Sequence, residues 1–434
     1  MSAQLLKKIK TKKAVVSVLG LGYVGLPLAV NFAKAGFTVC GFDTDEDRVN
    51  RVSTRKSYIA DIPQKDLAGV VRSGHLSATT DFSRLSETDV VIICVPTPLK
   101  SKYTPDVSYI IGAVRILRKY LKRGVLVVLE STTYPGTTRE MIQPELEKSG
   151  LKAGKDFFLA FSPERIDPGN KVYDVTRIPK VVGGLDAQSA KLTKELYSKI
   201  IKTIHPVSSP EAAEMTKLLE NSFRIINIGW INEVAMMCEK MGIDIWEVIE
   251  AAKTKPFGFM PFYPGLGVGG HCIPDDPLYL YWKAKRYGFD SKYIKLSADT
   301  NAQMPAYVIR RIAQALQERK KTLKKAKILV VGVTYKKDVR DLRKSPSLNL
   351  IRLLQEQVSK VDYFDPLIPY LEIFNIHQKV SVVPTPESLR RYDCVVIATD
   401  HSQIDYQKLL KHARLVFDTR NVYKSVRSAK VIRL

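Results

Sequence analysis

The chain has 434 residues, of which 45% are hydrophobic and 26% are charged. At about 150 residues per domain, this length predicts two or three domains with sizeable cores. Glycine and proline are spread along the chain, which excludes collagen-like and wholly disordered proteins. The sequence has no apolar run of the roughly 20 residues that a membrane helix needs. We therefore expect no membrane partner. The basic N-terminus leads into AVVSVLGLGYVGLP, which has glycines and no small-residue cleavage site after an apolar core, so we also expect no signal peptide.

The net charge of +24 is the unusual property of this composition. Such a charge suits nucleic acid, anionic lipid or phosphate-bearing small molecules. The basic residues are scattered, with modest clusters at 7–13, 310–327 and 414–433, and a solvated basic surface explains them. No helix-turn-helix, zinc or RNA-binding motif accompanies the charge, so we expect no nucleic-acid partner.

The five cysteines indicate a reducing environment. Cys40, Cys94 and Cys394 lie in strand-like apolar runs and are predicted to be small buried side chains. None of the five belongs to a CxxC pair, so the sequence predicts no metal site. The odd number of cysteines without a disulfide pattern favours a cytoplasmic protein.

In the first half of the chain, strand and helix patterns alternate. The strand-like runs are AVVSVLG, FTVCGFD, DVVIICVP, GVLVVLES and FFLAFSP, and a helical pattern, GYVGLPLAVNFAKAG, lies between the first two. Continuous apolar runs that alternate with helices are typical of a parallel sheet covered on both faces. This part of the chain is therefore predicted to be a doubly wound domain.

A long helix follows, from near Pro210 to Gly242, and leads to further helix and a loop, KPFGFMPFYPGLGVGGHCIPDDP. Strand-like runs then return as KILVVGVTY, VDYFDP, DCVVIATD and LVFDTR. The sequence predicts an α/β fold with two doubly wound (Rossmann-like) parallel-sheet domains joined by a long central helix. The predicted boundaries are 1–207 for the first sheet domain, 208–305 for the helical domain and 306–434 for the second sheet domain.

The motif GLGYVG follows the first strand and opens a helix, which is the context of a dinucleotide site. Gly20 allows a tight turn, Gly22 lets the backbone approach a pyrophosphate, and Gly25 lets helix and strand pack closely. Asp43 ends the second strand, where an acid binds ribose hydroxyls and repels a 2′-phosphate, so NAD is favoured over NADP. Arg48 is expected at the adenine side. A glycine-containing α/β domain without cofactor is the alternative.

The loop before Cys272 has four glycines within residues 265–270. A backbone so rich in glycine is expected to approach another group closely. Cys272 follows in a polar loop context that suits an activated thiol, although a structural cysteine is the alternative. Adjacent side chains on a tight loop point apart, so His271 is expected to contact backbone or phosphate rather than to act as the base.

Other polar residues stand at suggestive places. Lys217 and Asn221 are one helical turn apart and share a face of the long helix, although a solvated lysine is the plain alternative. Glu164 and Arg165 follow one predicted strand, and Thr132 follows another. Ligands of doubly wound sheets bind where strands end.

Seven motifs in order now carry a resemblance over nearly the whole chain: GLGYVGLPLA, VPTPL, ESTTYPGTT, FSPERIDPGN, EMTKLLENSFRIINIGWINE, GVGGHCIPDDP and YKKDVRDLR. The chain resembles the nucleotide-sugar 6-dehydrogenases, which oxidise the C6 alcohol of a UDP-sugar to a carboxylate with two NAD. The stretch before Cys272 looks most like the UDP-N-acetylglucosamine branch, with UDP-glucose and UDP-N-acetylmannosamine as alternative substrates. In YKKDVRDLRKSP the family more often has acids where Arg340 and Lys344 stand.

The resemblance implies that Cys272 forms a thiohemiacetal and then a thioester with the substrate. It implies that Lys217 and Asn221 stabilise an oxyanion, and that ordering or activation of water falls to Thr132, Glu164 and Asp276. The NAD-binding positions that it implies are Gly20, Gly22, Tyr23, Val24, Gly25, Asp43, Arg48, Pro96, Thr97 and Thr132. The substrate-binding positions are Glu164, Arg165, Lys217, Asn221, Gly265, Gly269, Lys336 and Arg343.

The resemblance also implies that the second α/β domain binds UDP and that the long helix forms the core of a homodimer or a higher homo-oligomer. The product would feed polysaccharide biosynthesis. A two-electron dehydrogenase or an NAD-binding scaffold of the same architecture is the remaining alternative.

Overall fold

The computed structural model describes residues 1–59, 62–101, 103–166, 176–373 and 376–434. The last four residues of the motif FSPERIDPGN lie outside these ranges. The described chain forms two units, the first from residues 1–220 and 279–289 and the second from 221–278 and 290–434. In the part of the chain that is described, no helix is both long and apolar enough to span a membrane.

The first unit is built on an eight-stranded sheet in the order β10-β9-β8-β7-β4-β1-β2-β3, with a separate hairpin of β5 and β6. Its strands are β1 (Val15–Leu19), β2 (Thr38–Phe42), β3 (Leu76–Thr79), β4 (Val90–Ile93), β5 (Leu99–Ser101), β6 (Thr104–Pro105), β7 (Leu126–Leu129), β8 (Phe158–Phe161), β9 (Lys180–Gly184) and β10 (Ile204–Val207).

Helices cover this sheet. They are α1 (Ser2–Lys10), α2 (Gly25–Lys34), α3 (Glu46–Ser53), α4 (Gln64–Arg72), α5 (Ser108–Tyr120), α6 (Gln143–Glu147) and α7 (Ala187–Tyr197), with a 3₁₀ turn at Phe82–Glu87 and a π turn at Thr138–Ile142. The central strands β4, β7 and β8 are buried at every position, as their continuous apolar runs predict.

The direction of the edge strands differs from the expected fully parallel sheet. The strands β1–β4, β7 and β8 pair in parallel, but β8 and β9 are antiparallel, with Phe161 opposite Gly183. Because β10 pairs in parallel with β9, the last two strands both run against the rest of the sheet. The sequence KVVGG has no feature that sets strand direction, so this reversal could not be predicted from it.

The second unit contains a five-stranded parallel sheet in the order β12-β11-β15-β16-β17, and a hairpin of β13 and β14. Its strands are β11 (Lys327–Val331), β12 (Lys360–Phe364), β13 (Tyr370–Ile373), β14 (Ile376–Val380), β15 (Cys394–Ile397), β16 (Val416–Asp418) and β17 (Val431–Arg433). The helices that follow β10 along the chain are α8 (Pro210–Met241), α9 (Ile245–Ala252), α10 (Cys272–Arg286), α11 (Lys292–Gln317), α12 (Pro346–Gln355), α13 (Pro386–Leu389) and α14 (Tyr406–His412), with a 3₁₀ turn at Leu323–Lys325.

The predicted long helix is confirmed as α8, which has 32 residues and contributes to both units. The first residues of two shorter helices, α2 and α10, differ from expectation. Helix α2 begins at Gly25, so the preceding glycines form the turn rather than the first helical residues. Helix α10 begins at Cys272, within the predicted loop, because Pro274 stands in the first turn, where a missing N–H costs no helical hydrogen bond.

Candidate active site

The glycine turn of the first unit has the geometry that its sequence predicts. Gly20 has φ +93°, and a Cβ there would lie 2.5 Å from the carbonyl oxygen of Cys94. A Cβ on Gly25 would lie 1.8 Å from the carbonyl oxygen of Gly20. At Gly22, in contrast, a Cβ would meet no atom within 4 Å. The turn and the packing therefore require two of the glycines, while Gly22 presents open backbone to a ligand.

The acid at the end of β2 is held by backbone amides. Asp43 is 7% exposed and accepts hydrogen bonds from the amides of Leu21 (2.8 Å, Oδ2) and Asp45 (3.0 Å, Oδ1). Arg48 reaches it, with Nη1 3.3 Å from Asp43 Oδ2. A fixed carboxylate beside an open glycine edge and the start of α2 fits an adenosine ribose followed by a pyrophosphate.

The remaining predicted cofactor positions lie in the same unit. Tyr23 is exposed, and Val24 is half-buried just before α2. Pro96 is exposed after β4, whereas Thr97 is 4% exposed. The hydroxyl of Tyr279 donates to the carbonyls of Thr97 and Pro98, and it thereby fixes the backbone that follows β4.

The segment after β7 is fixed from two sides. Thr132 is half-buried there, and its neighbour Ser131 donates to the carbonyl of Val95 over 2.8 Å. A few residues on, the buried Glu214 of α8 accepts hydrogen bonds from the amides of Gly136 (2.6 Å) and Thr138 (2.9 Å). Burial raises the pKa of Glu214 to about 7 against these hydrogen bonds, which lower it.

Glu164 and Arg165 lie just beyond β8. One oxygen of Glu164, Oε1, accepts from the amides of Arg165 and Ile166, each over 2.7 Å. The guanidinium of Arg165 forms a bidentate ion pair with Glu220 of α8, with Nη2 2.5 Å from Oε1 and Nε 3.2 Å from Oε2. The position of Arg165 is thus set by a carboxylate of this chain.

Lys217 is buried on α8, with 7% of its surface exposed. Among the described residues it has neither a hydrogen-bond nor an ion-pair partner, unlike the buried Lys180 of the same unit. A buried ammonium without a partner is costly, and a ligand oxygen would relieve that cost. This observation favours a functional lysine over a solvated one.

Cys272 is the exposed cysteine of the five, and the other four are buried. It stands at the first residue of α10, where backbone N–H groups stabilise a thiolate. Asp276 follows one turn later on the same face and is 1% exposed. Its Oδ2 accepts from Nδ2 of Asn221 over 2.6 Å, so the second unit itself brings these two predicted residues together.

The glycine loop before Cys272 is packed against its own unit. A Cβ on Gly269 would lie 2.5 Å from the Tyr335 Cβ, and one on Gly267 would lie 2.5 Å from the Asn301 carbonyl oxygen. The Gly265 amide donates to Asn232 over 2.9 Å. These close approaches to protein atoms explain several glycines without a ligand.

His271 lies beside this loop and is half-buried. Burial lowers its pKa, and nearby Asp275 opposes that shift. The contact with backbone or phosphate that is expected of His271 stays a prediction.

Lys336 and Arg343 lie on the segment after β11. Lys336 is half-buried, and its carbonyl accepts from Thr334 over 2.9 Å. Arg343 is exposed and forms a close ion pair with Asp341, at 2.7 Å. Its carbonyl accepts from the Gly270 amide over 2.8 Å, which ties this segment to the glycine loop.

Sequence reasoning missed Arg420, which follows β16. Its Nε donates to the Ala398 carbonyl over 2.8 Å, and its Nη1 would lie 3.1 Å from a Cβ on Gly265. Burial lowers the pKa of its guanidinium, although Asp400 and Asp418 oppose the shift. The sequence feature that indicates a ligand contact for Arg420 is its place at the end of the strand-like run LVFDTR, since ligands of such sheets bind where strands end.

A dinucleotide turn, an acid after β2 and a second sheet unit define an NAD-dependent dehydrogenase of two α/β units. The chain belongs to the UDP-glucose/GDP-mannose dehydrogenase family. The NAD-binding domain of that family matches residues 14–201, its central domain matches 211–303, and its UDP-binding domain matches 329–425. The resemblance inferred from the motifs, the enzyme class and the cofactor NAD are thereby confirmed.

Individual relatives agree with this family. The chain is 39% identical to the UDP-N-acetyl-D-glucosamine 6-dehydrogenase of Pseudomonas aeruginosa, over 93% of this chain and 96% of the relative. It is 34% identical to the UDP-N-acetyl-D-mannosamine dehydrogenase of Pyrococcus horikoshii, over 94% and 96%. A solved structure of the latter enzyme has a TM-score of 0.87 at 33% identity, covering 96% of this chain and 98% of that one. The predicted fold class is confirmed, and the two enzymes named here act on different UDP-sugars.

Proposed function

We propose that this protein oxidises C6 of a UDP-N-acetylhexosamine, with UDP-N-acetylglucosamine favoured, to the uronic acid. The observation that carries the proposal is the exposed Cys272 at the start of α10, one turn before the buried pair of Asp276 and Asn221. The 39% identity to a UDP-N-acetylglucosamine enzyme supports this sugar over UDP-N-acetylmannosamine and UDP-glucose. The product would enter polysaccharide synthesis, and we place the enzyme in the cytoplasm.

The reaction removes four electrons from one carbon. Bound NAD accepts a hydride, and two equivalents are needed. The C6 alcohol first loses a hydride and a proton to become an aldehyde. The thiolate of Cys272 adds to the aldehyde carbon, and the oxygen takes a proton. Loss of a second hydride and of that proton gives a thioester. Water then attacks the thioester carbon, and the C–S bond breaks. This step gives the carboxylate product and regenerates the thiolate of Cys272, and the protons are released to solvent.

The side chains divide this work by their chemistry. Lys217 places its unpartnered ammonium at the oxygen of C6, where negative charge develops. Asn221 donates a second hydrogen bond there and is oriented by Asp276. The half-buried Thr132 and the carboxylate of Glu164 order the attacking water.

NAD and the UDP-sugar are bound by different sets of residues. The first unit holds NAD through the glycine turn, Asp43, Arg48, Tyr23, Val24, Pro96, Thr97 and Thr132. The second unit holds the UDP-sugar through Gly265, Gly269, Lys336, Arg343 and the additional Arg420, whose cation lies against Gly265. Glu164, Arg165, Lys217 and Asn221 contact the sugar.

The long helix carries a stripe of exposed apolar side chains that fits a second copy of this chain. The stripe is formed by residues at heptad-like spacing: Met215, Leu219, Phe223, Trp230, Met237 and Met241. Side chains at this spacing share one face of a helix. We propose that the stripe packs in a homodimer or higher homo-oligomer, because an exposed apolar seam of this length needs a partner.

The test is the number of NADH formed per UDP-sugar consumed, measured for the three sugars with NAD in excess. We expect two NADH and a uronic acid, identified by mass, with UDP-N-acetylglucosamine. Cys272→Ala is expected to abolish formation of the acid, while Cys238→Ala, which alters a buried cysteine of α8, serves as the matched control.

The outcomes separate the alternatives. Two NADH with UDP-glucose or UDP-N-acetylmannosamine alone would keep the mechanism and replace the substrate. One NADH per sugar, or a Cys272→Ala variant with full turnover, would reject the thioester mechanism and leave a two-electron dehydrogenase.

A further inference from the structure

A group of buried ionisable side chains in the first unit has no part in the reaction proposed above. Lys180 is 4% exposed and Glu130 is 1% exposed. Lys180 Nζ lies 3.0 Å from Glu130 Oε2 and 3.5 Å from Glu164 Oε2. The hydroxyl of the fully buried Tyr197 donates to the other oxygen of Glu130. Lys180 thus bridges an internal carboxylate and a carboxylate that we place in the active site.

The reversed strand direction brings this group together. Glu130 follows β7 and Glu164 lies beyond β8, so both stand at the carboxyl ends of parallel strands. Lys180 is the first residue of β9, and it would lie at the opposite edge if β9 were parallel to β8. Because β8 and β9 are antiparallel, the start of β9 lies at the edge where the carboxylates are.

The charged side chains in this group stabilise one another. Burial lowers the pKa of Lys180, but Glu130 and Glu164 outweigh it and raise that pKa, so Lys180 carries its charge. Burial raises the pKa of Glu130, and Lys180 opposes that shift. Tyr197 also places its ring 5.1 Å from Lys180 Nζ, which restricts the ammonium further.

Glu164 is consequently fixed at both oxygens. Its Oε1 accepts two backbone amides, and its Oε2 faces the ammonium of Lys180. A carboxylate oxygen has two lone pairs, so Oε2 can still accept a hydrogen bond from water. We infer that Lys180 is a positioning residue: it holds the carboxylate of Glu164 in the orientation needed for the water that attacks the thioester, an inference that rests on the proposed function.

The experiment compares Lys180→Met with Lys180→Arg in the full-length protein. For Lys180→Met we expect intact NAD binding, an initial burst of two NADH per active site, and then turnover about 10²-fold slower. A thioester adduct on Cys272 should accumulate and be visible by intact mass after rapid quenching. Lys180→Arg should restore most of the turnover because it keeps the cation. Lys34→Met, which removes a surface ion pair with Asp66, is the matched control.

A double variant keeps the inference testable if Lys180→Met does not fold. Glu130→Gln with Lys180→Met removes the buried pair together, so Glu130 is not left as an unpaired buried charge, and Glu164 keeps its two amide hydrogen bonds. We expect this double variant to fold and to show the same accumulation of thioester. A folded single or double variant with normal turnover would overturn the role of Lys180, as would a variant that loses the burst and the hydrolysis equally.

Glu164→Gln separates this inference from the proposed function. If Glu164→Gln turns over normally, the assignment of Glu164 in the proposed function fails, and the role of Lys180 fails with it. If Glu164→Gln accumulates thioester while Lys180→Met does not, the proposed function stands and only the role of Lys180 is rejected.

Discussion

Asn221 donates its side-chain amide to Asp276 over 2.6 Å, and both side chains are at least 95% buried. The contact joins α8 to the first turns of α10 within the second unit. A charge-assisted hydrogen bond in such surroundings orients both partners. It therefore fixes the amide of Asn221 relative to the helix that begins with Cys272.

Asp276→Asn tests the charge of this pair separately from its shape. The asparagine can still accept from Asn221, so we expect the free energy of unfolding to fall by about 1 kcal/mol at most. We expect kcat to fall about 10²-fold, since the negative charge near the reacting groups is lost. Urea unfolding and steady-state NADH formation measure the two effects. Asp299→Asn, at an exposed ion pair on α11, should change neither quantity.

The glycine turn allows folding and cofactor binding to be separated. Gly25→Ala would place a Cβ 1.8 Å from backbone, so we expect a loss of about 3 kcal/mol in unfolding free energy together with loss of NAD binding. Gly22→Ala meets no protein atom within 4 Å, so the protein should keep its stability and lose only NAD affinity. Thermal unfolding and NAD titration distinguish the two. Equal destabilisation by both substitutions would contradict this division.

Much of this fold could be predicted because its strands are buried on both faces. A continuous run such as VVII admits few interpretations, and β4 is indeed buried throughout. The bounds of α8 were predictable from helical periodicity between Pro210 and Gly242. The start of α10 could not be predicted, because Pro274 and Pro277 resemble helix breakers. Pro274 lies in the first turn of the helix, where a proline is tolerated.

The site was predictable only where its residues stand in recognisable local motifs. Cys272 and Asp276 stand in GVGGHCIPDDP, one of the motifs that carry the resemblance, although their common helix face is visible only in the structure. Lys180 and Glu164 come together through an antiparallel pairing that the sequence does not encode locally. Arg420 meets Gly265 over a long sequence separation, and only the folded second unit shows that approach.

Arg420→Gln tests that approach. A hydrogen bond from a cation to a diphosphate contributes about 1.5–3 kcal/mol, so we expect the KM for the UDP-sugar to rise about 10–100-fold. The kcat should change much less, because Arg420 is assigned to binding alone. UDP titration by calorimetry should show the same loss of affinity. Arg414→Gln, which alters an exposed arginine that pairs with Asp393, is the control and should bind UDP normally.

Glu214 gives a pH dependence of stability with a defined sign. Its pKa is about 7 in the folded protein and near 4.5 when unfolded, so the folded state binds more protons between these values. The free energy of unfolding should therefore fall as pH rises from about 4.5 through 7, by about 3 kcal/mol for this group alone. Glu214→Gln should be less stable at low pH but should lack this slope. Urea unfolding at pH 5, 6, 7 and 8 for both proteins measures the difference.

Trp230→Glu tests the proposed homo-oligomer. Trp230 is 59% exposed near the middle of the apolar stripe of α8, so a charge there would be desolvated on association. We expect the variant to sediment as a monomer at concentrations where the unaltered protein is associated, with little change in helix content. Arg224→Glu makes a larger charge change on the same helix, but outside the stripe, and should leave the sedimentation unchanged. If both variants associate like the unaltered protein, the stripe is not the contact between copies.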